Sequence, residues 1–248
     1  MKSLFLKVSV LVLLLSGIAY VAFAKDRGRP YYEQRGYILW EINTEEKVIA
    51  LTFDDGPHVT YTPQVLDLLQ QYEAKATFFV IGERAEKYPE LISQIGEAGH
   101  EIANHTYTHP LSITPAKLRE ELKKTNDIIH SITGVYPIFY RPVAGTYNDR
   151  IINTAIEEGY RVVMWSWHLD TEDWKTPGVK KIVNKVLKGT TPGDIVLFHD
   201  AGGDRTQTVK ALEEILPKLK KQGYRFVTIS ELIEIQTLNL NTLEQEKP

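Results

Sequence analysis

The chain has 248 residues, is 43% hydrophobic and carries a formal charge of −3. That balance supports a packed core and excludes collagen-like, low-complexity and wholly disordered chains. The slight acid excess argues against a nucleic-acid partner, and the absence of cysteine removes disulfides, iron–sulfur clusters, zinc fingers and thiol nucleophiles.

Residues 1–24 read as a leader. Lys2 and Lys7 make a basic start, residues 8–24 carry no charge, and Ala22-Phe23-Ala24 is a small-x-small cleavage pattern. The apolar run is also long enough to serve as an uncleaved N-terminal anchor. Export with cleavage is the expectation, and anchoring is the alternative. Loss of Lys2 and Lys7 deepens the charge to −5. Residues 25–46 lack a period and read as a polar lead-in, 47–236 as one folded domain, and 237–248 as a polar tail.

Within the domain, short apolar runs rich in β-branched residues predict strands at 48–53, 76–81, 101–104, 137–140, 161–167, 194–198 and 225–229. Helical patterns fall between them. One opens at Thr62-Pro63 with Val65, Leu66, Leu68 and Leu69 on its apolar face. Another opens at Pro89 and closes at 96–99, and a long one runs from Thr114-Pro115 to Gly134. Others cover 148–158, 178–188 and 207–222. Proline near the start and glycine near the end are ordinary helix punctuation. Such alternation predicts a parallel sheet buried on both faces, as a barrel or an open doubly wound sheet. No glycine-rich phosphate loop follows the first strand, which weakens a dinucleotide-binding reading.

Titratable residues gather where the strands end: Asp54 and Asp55, His105 and His109, Arg141, Asp170 and Asp173, then His199 and Asp200. In a (β/α) barrel these ends share one face, where active sites are built. With no cysteine, a metal must be held by histidine and carboxylate. His105 and His109 are four apart, and two imidazoles plus one carboxylate leave an open coordination position. The HxxxH spacing alone is weak, and two solvated imidazoles in a turn would look the same. Asp54-Asp55-Gly56-Pro57 alone reads as a turn. Together they make sense as chemistry: a cation relieves the repulsion of adjacent acids, so one ligates while the other serves as a base.

The segments LTFDDGP (51–57), NHTYTHP (104–110), RPVAG (141–145), DTEDW (170–174) and VLFHD (196–200) resemble, in order and spacing, the five motifs of the polysaccharide deacetylases, carbohydrate esterase family 4. The resemblance covers about 47–232. It implies an α/β fold, a distorted (β/α) barrel of seven or eight parallel strands, and hydrolytic removal of acetyl groups from amino sugars. It makes Asp54 the base and gives Asp55, His105 and His109 one divalent ion, zinc first, with cobalt or nickel as alternatives. It further implies that Arg141 orients Asp54 and that His199 is the acid, kept protonated by Asp173. Trp174 and Leu197 would wall the acetyl pocket, and a main-chain N–H near Ala144 would meet the oxyanion. The third motif departs from the family: Val143-Ala144 stands where Pro-aromatic is usual, so the wall of the sugar site must differ.

The expected substrate is N-acetylglucosamine in a cell-wall polysaccharide, peptidoglycan first, met outside the cell by a secreted or wall-associated monomer. Chitin, O-acetylated xylan and a carbohydrate-binding pseudoenzyme are the rival readings. Membrane contact is expected only through a retained leader. Elsewhere, His58 and His100 read as structural and His130 as solvated. Trp165 and Trp167 read as core, and His168 and Asp170 as neighbours of the site.

Overall fold

The computed structural model describes residues 27–245, so the leader falls outside the described residues. In chain order, α1 (Arg29–Glu33) and β1 (Ile38–Leu39) precede β2 (Val48–Asp54), α2 (Tyr61–Gln71) and β3 (Ala76–Val80). Next come α3 (Gly82–Lys87), α4 (Pro89–Glu97), β4 (Glu101–Asn104), α5 (Pro115–Thr133), β5 (Phe139–Tyr140) and α6 (Asp149–Glu157). The chain ends with β6 (Arg161–Val163), α7 (Val179–Gly189), β7 (Ile195–His199), α8 (Thr206–Lys221), β8 (Arg225–Phe226) and α9 (Ile229–Gln245). Among the described residues no helix is long and apolar enough to cross a membrane.

The sheet order is β1-β6-β5-β4-β3-β2-β7, with β8 on the start of β2, and every ladder is parallel. Between β1/β6 and β7 no ladder forms. Single rungs span the gap instead: Ile42 N–H to Gly193 O at 3.0 Å and Ser166 N–H to Ile195 O at 2.9 Å, with a bridge between Asp170 and Leu197. The result is a distorted (β/α) barrel, as expected.

Side chains alternate along each strand, and that period sorts the molecule into two layers. Ile49, Leu51 and Phe53 of β2 face the helices, where Phe53 stacks between Phe78 at 5.1 Å and Phe198 at 5.7 Å. Val48 and Ala50 face inward and meet Phe79, Ala103, Phe139, Val163 and Ile195 in the barrel interior. Truncating a ring such as Phe53 to alanine is expected to cost about 3–5 kcal/mol. The inward row continues through Thr52 to Asp54, which delivers that carboxylate to the barrel mouth.

Two expectations about the ends need correction. The lead-in is part of the domain: β1 pairs with β6, Tyr32, Ile38 and Trp40 are buried, and the Tyr32 hydroxyl donates to Asp149 at 2.6 Å. Its two-residue strand is too short to show a period. The tail expected from 237 continues the helix α9. The long helix α5 forms where punctuation placed it: the Thr114 side chain accepts from Lys117 N–H, Pro115 opens the first turn, and Gly134 ends it at φ +74°.

Candidate active site

A cavity of about 350 Å³ opens at the C-terminal ends of the strands. Asp54, Asp55, His105, His109, Ala144, Trp174, Leu197 and His199 all border it. The ends of β2, β4 and β7 and the loops after β5 and β6 thus bring these sequence-derived candidates together. Arg141 and Asp173 lie just behind, buried against Asp54 and His199.

Arg141 fixes the first acid. Its guanidinium is fully buried and spans the barrel interior. Nη1 donates to Asp54 Oδ1 at 2.6 Å and to Thr52 Oγ1 at 2.9 Å, while Nε and Nη2 donate to the carbonyls of Val163 and Met164. The plane also lies 3.9 Å from the Phe79 ring centre. A buried charge-assisted bond of this kind holds a carboxylate in one orientation. The other oxygen, Oδ2, lies 3.8 Å from His105 Nε2.

Asp55, His105 and His109 form the metal-type cluster. Their potential ligand atoms lie within 4.8 Å of one another. His109 Nε2 is 3.1 Å and His105 Nε2 3.6 Å from Asp55 Oδ1. Ligands about 2.0–2.1 Å from one tetrahedral ion stand about 3.3 Å apart, so the donor set and its spacing fit a divalent cation. His105 Nδ1 lies 2.8 Å from the Arg141 carbonyl, which only an N–H can satisfy, so Nε2 keeps its lone pair towards Asp55. Burial pulls the His105 imidazole below its ordinary value, although Asp54 and Asp55 face it. Burial opposes ionisation of Asp55, but the His109 bond and the charge of His199 outweigh it and hold the carboxyl well below its usual range.

The second acid–histidine pair sits across the cavity. His199 Nδ1 contacts Asp173 Oδ1 at 2.7 Å, and its main-chain N–H donates to Asp173 Oδ2 at 2.9 Å. The Thr208 hydroxyl also donates to Oδ2, at 2.7 Å. Burial works against a charged His199, yet the hydrogen bond and charge of Asp173, with Asp54 and Asp55 nearby, push it up to about 9.

The loops are strained where they serve the site. Asp55, Thr106, His109, Ala144 and Glu172 all adopt positive φ, at a cost of roughly 1–3 kcal/mol each, the sort of strain that clusters at functional sites. At Gly145 (φ +63°) a Cβ would come 2.7 Å from the Trp165 ring, so only glycine lets the third-motif turn close against that wall. The turn bonds Gly145 N–H to the Pro142 carbonyl and Thr146 N–H to the Val143 carbonyl.

Several supporting residues escaped the sequence reading. Glu121, buried on α5, accepts from the N–H groups of Tyr107 and Thr108 and from the Thr108 hydroxyl, and so holds the 105–109 loop. A glutamate on an otherwise charged helix carries no pattern that marks it. Arg84 donates to the Asp55 carbonyl at 2.7 Å. Trp165 and Asp170 line the cavity, whereas Trp167 is 54% exposed rather than core. His168 contacts Asp194 at 3.2 Å, and Asp200 turns away to accept from Thr62 at 2.5 Å. His58 caps the turn before α2, and His130 stacks on Tyr136 at 3.8 Å instead of standing free.

Comparison with known proteins agrees with this arrangement. Residues 41–163 match the family described as polysaccharide deacetylase. A peptidoglycan-N-acetylglucosamine deacetylase of Bacillus cereus is 52% identical over 210 residues, covering 83% of this chain and 97% of the relative. The peptidoglycan-N-acetylmuramic acid deacetylase PdaC of Bacillus subtilis is 40% identical over 198 residues, covering 79% of this chain and 40% of the relative. Among solved structures, the Bc1960 peptidoglycan N-acetylglucosamine deacetylase superposes with a TM-score of 0.77 at 38% identity, covering 81% of this chain and 94% of that one. Five motifs in order around one cavity, with relatives alike over most of the chain, place it in the polysaccharide deacetylase family.

Proposed function

We propose that the protein is a metal-dependent hydrolase that removes N-acetyl groups from N-acetylglucosamine residues of peptidoglycan and releases acetate. The observation that carries this reading is a division of labour around one cavity. A carboxylate oriented by Arg141, a three-ligand cluster and a histidine raised to about 9 all reach the same space.

Asp55, His105 and His109 would hold the ion, with zinc the first choice and cobalt or nickel as alternatives. Bound there, it supplies a Lewis acid that polarises the acetyl carbonyl and makes water acidic enough to attack near neutral pH. Asp54 takes the proton of the attacking water at Oδ2, since Arg141 occupies Oδ1. The Ala144 N–H donates to the developing oxyanion. Leu197 and Trp174 enclose the acetyl methyl and keep water from it. His199, with Nδ1 held by Asp173, gives its Nε2 proton to the leaving nitrogen. An amine leaves only when protonated, so an acid that stays largely charged at pH 7–8 suits an amide better than an ester. That preference sets N-acetyl above the O-acetyl reading. Export, with the leader removed or kept as an anchor, and a monomeric state belong to the same reading.

The direct test incubates the purified protein with N-acetylglucosamine oligomers, peptidoglycan and acetylated xylan, with and without a chelator. Acetate from the first two that stops on chelation and returns with zinc supports the proposal. Release from xylan alone selects the esterase, and saccharide binding without any release selects a pseudoenzyme. Asp54→Asn should abolish turnover and leave the metal content unchanged; loss of the metal would mean the two acids have exchanged roles.

A further inference from the structure

We propose that Trp167 is a stacking platform for a second sugar of the substrate chain, next to the residue being deacetylated; this rests on the de-N-acetylase reading above. The ring is 54% exposed yet held from behind. It meets buried Trp40 edge-on, with centroids 6.3 Å apart at 88°. The Arg29 guanidinium lies 5.0 Å from the Trp40 ring and 5.3 Å from the Trp167 ring, and Arg29 is itself tied to Glu33 at 2.6 Å and to Glu41. A fixed aromatic face loses little freedom when a ligand settles on it. A pyranose presents C–H bonds on one face and hydroxyls at its edge, so it can stack there while its hydroxyls stay in water.

A lone exposed ring is common and means little. Two observations set this one apart. It lies on the segment that edges the cavity: Trp165, two residues before it, and Asp170, three after it, both line that space. An aromatic row also joins it to the third-motif turn: Tyr147, two residues past Gly145, packs 6.0 Å from Trp40, which packs on Trp167.

The experiment is a chain-length series. Initial rates are measured on N-acetylglucosamine oligomers from disaccharide to hexasaccharide, for the wild type, Trp167→Ala and Trp167→Phe, with calorimetric binding of the hexasaccharide alongside. Wild-type kcat/KM should rise with length. Trp167→Ala should lose about three- to tenfold on the longest oligomer through KM, with kcat and the disaccharide rate nearly unchanged, and Trp167→Phe should recover most of it. An unchanged ratio between hexasaccharide and disaccharide rates, or unchanged hexasaccharide affinity, would overturn the proposal. If the wild type releases no acetate, the de-N-acetylase reading has failed, and the calorimetric comparison still decides whether Trp167 grips sugar.

Discussion

The cavity contains two acid–histidine contacts that look alike and behave oppositely. Asp55 faces His105 and His109, and Asp173 faces His199. In the first, the imidazole of His105 is pulled down; in the second, that of His199 is pushed up to about 9. Burial pulls both imidazoles down, and only at His199 is it overcome, by the partner that holds Nδ1. For His105 it is the Arg141 carbonyl, a neutral acceptor that leaves Nε2 as a lone pair. For His199 it is a carboxylate, which favours the charged ring and leaves Nε2 as a proton donor. In the proposed reading, the same residue type serves as a ligand in one place and as an acid in the other.

The largest effects should come from removing either half outright. His105→Ala and His199→Ala should each lower kcat by about 10²–10⁴. Only the first should also lose the metal, as read by elemental analysis after desalting. Equal metal loss in both would erase the distinction between the pairs.

Asp173→Asn tests the second half more finely. Asparagine keeps the shape and removes the charge that offsets burial, so His199 should fall to near or below the ordinary imidazole value of about 6.5. The basic limb of the rate profile should move down from about 9 accordingly. The rate at pH 8 should drop at least about tenfold, with a smaller gap at pH 6. Stability follows the same sign. The folded pKa of His199 is raised, so its contribution is complete below about 6.5 and is lost as pH rises through about 9. Thermal melts of chelator-treated protein between those limits should show the decline in wild type and a flatter profile in Asp173→Asn.

Glu121→Gln probes the first half from a distance. Its carboxylate gathers two N–H groups and a hydroxyl of the 105–109 loop. An amide accepts fewer and sets an NH₂ against those donors. The expected cost is about 1–3 kcal/mol in unfolding, with metal affinity weakened about tenfold. A stability loss with unchanged metal affinity would limit Glu121 to scaffolding.

The sequence announced most of the barrel because most of the β2-to-β7 strands are apolar runs bounded by turns, although β4 opens on Glu101 and β6 on Arg161. Its motif residues follow directly from those ends, so cavity membership was legible too. What stayed hidden depended on tertiary partners. β1 is two residues long and exists only because β6 pairs with it. The period-two projection of Trp167 into the core failed because the strand ends at Val163 and the chain turns through Trp167–Leu169. Glu121 and Thr208 carry no local signal; each is functional only because a distant loop folds onto it.

Thr208 gives the smallest and most specific test. Its hydroxyl donates to the Asp173 oxygen that also takes the His199 N–H. Thr208→Val keeps the shape and removes one donor from a buried carboxylate, which should cost about 1 kcal/mol in denaturant unfolding. The carboxylate charge beside His199 survives, so the basic limb near 9 should hardly move. If that limb instead falls as far as in Asp173→Asn, orientation of the carboxylate rather than its charge sets the acid, and the contrast between the two histidines would rest on geometry alone.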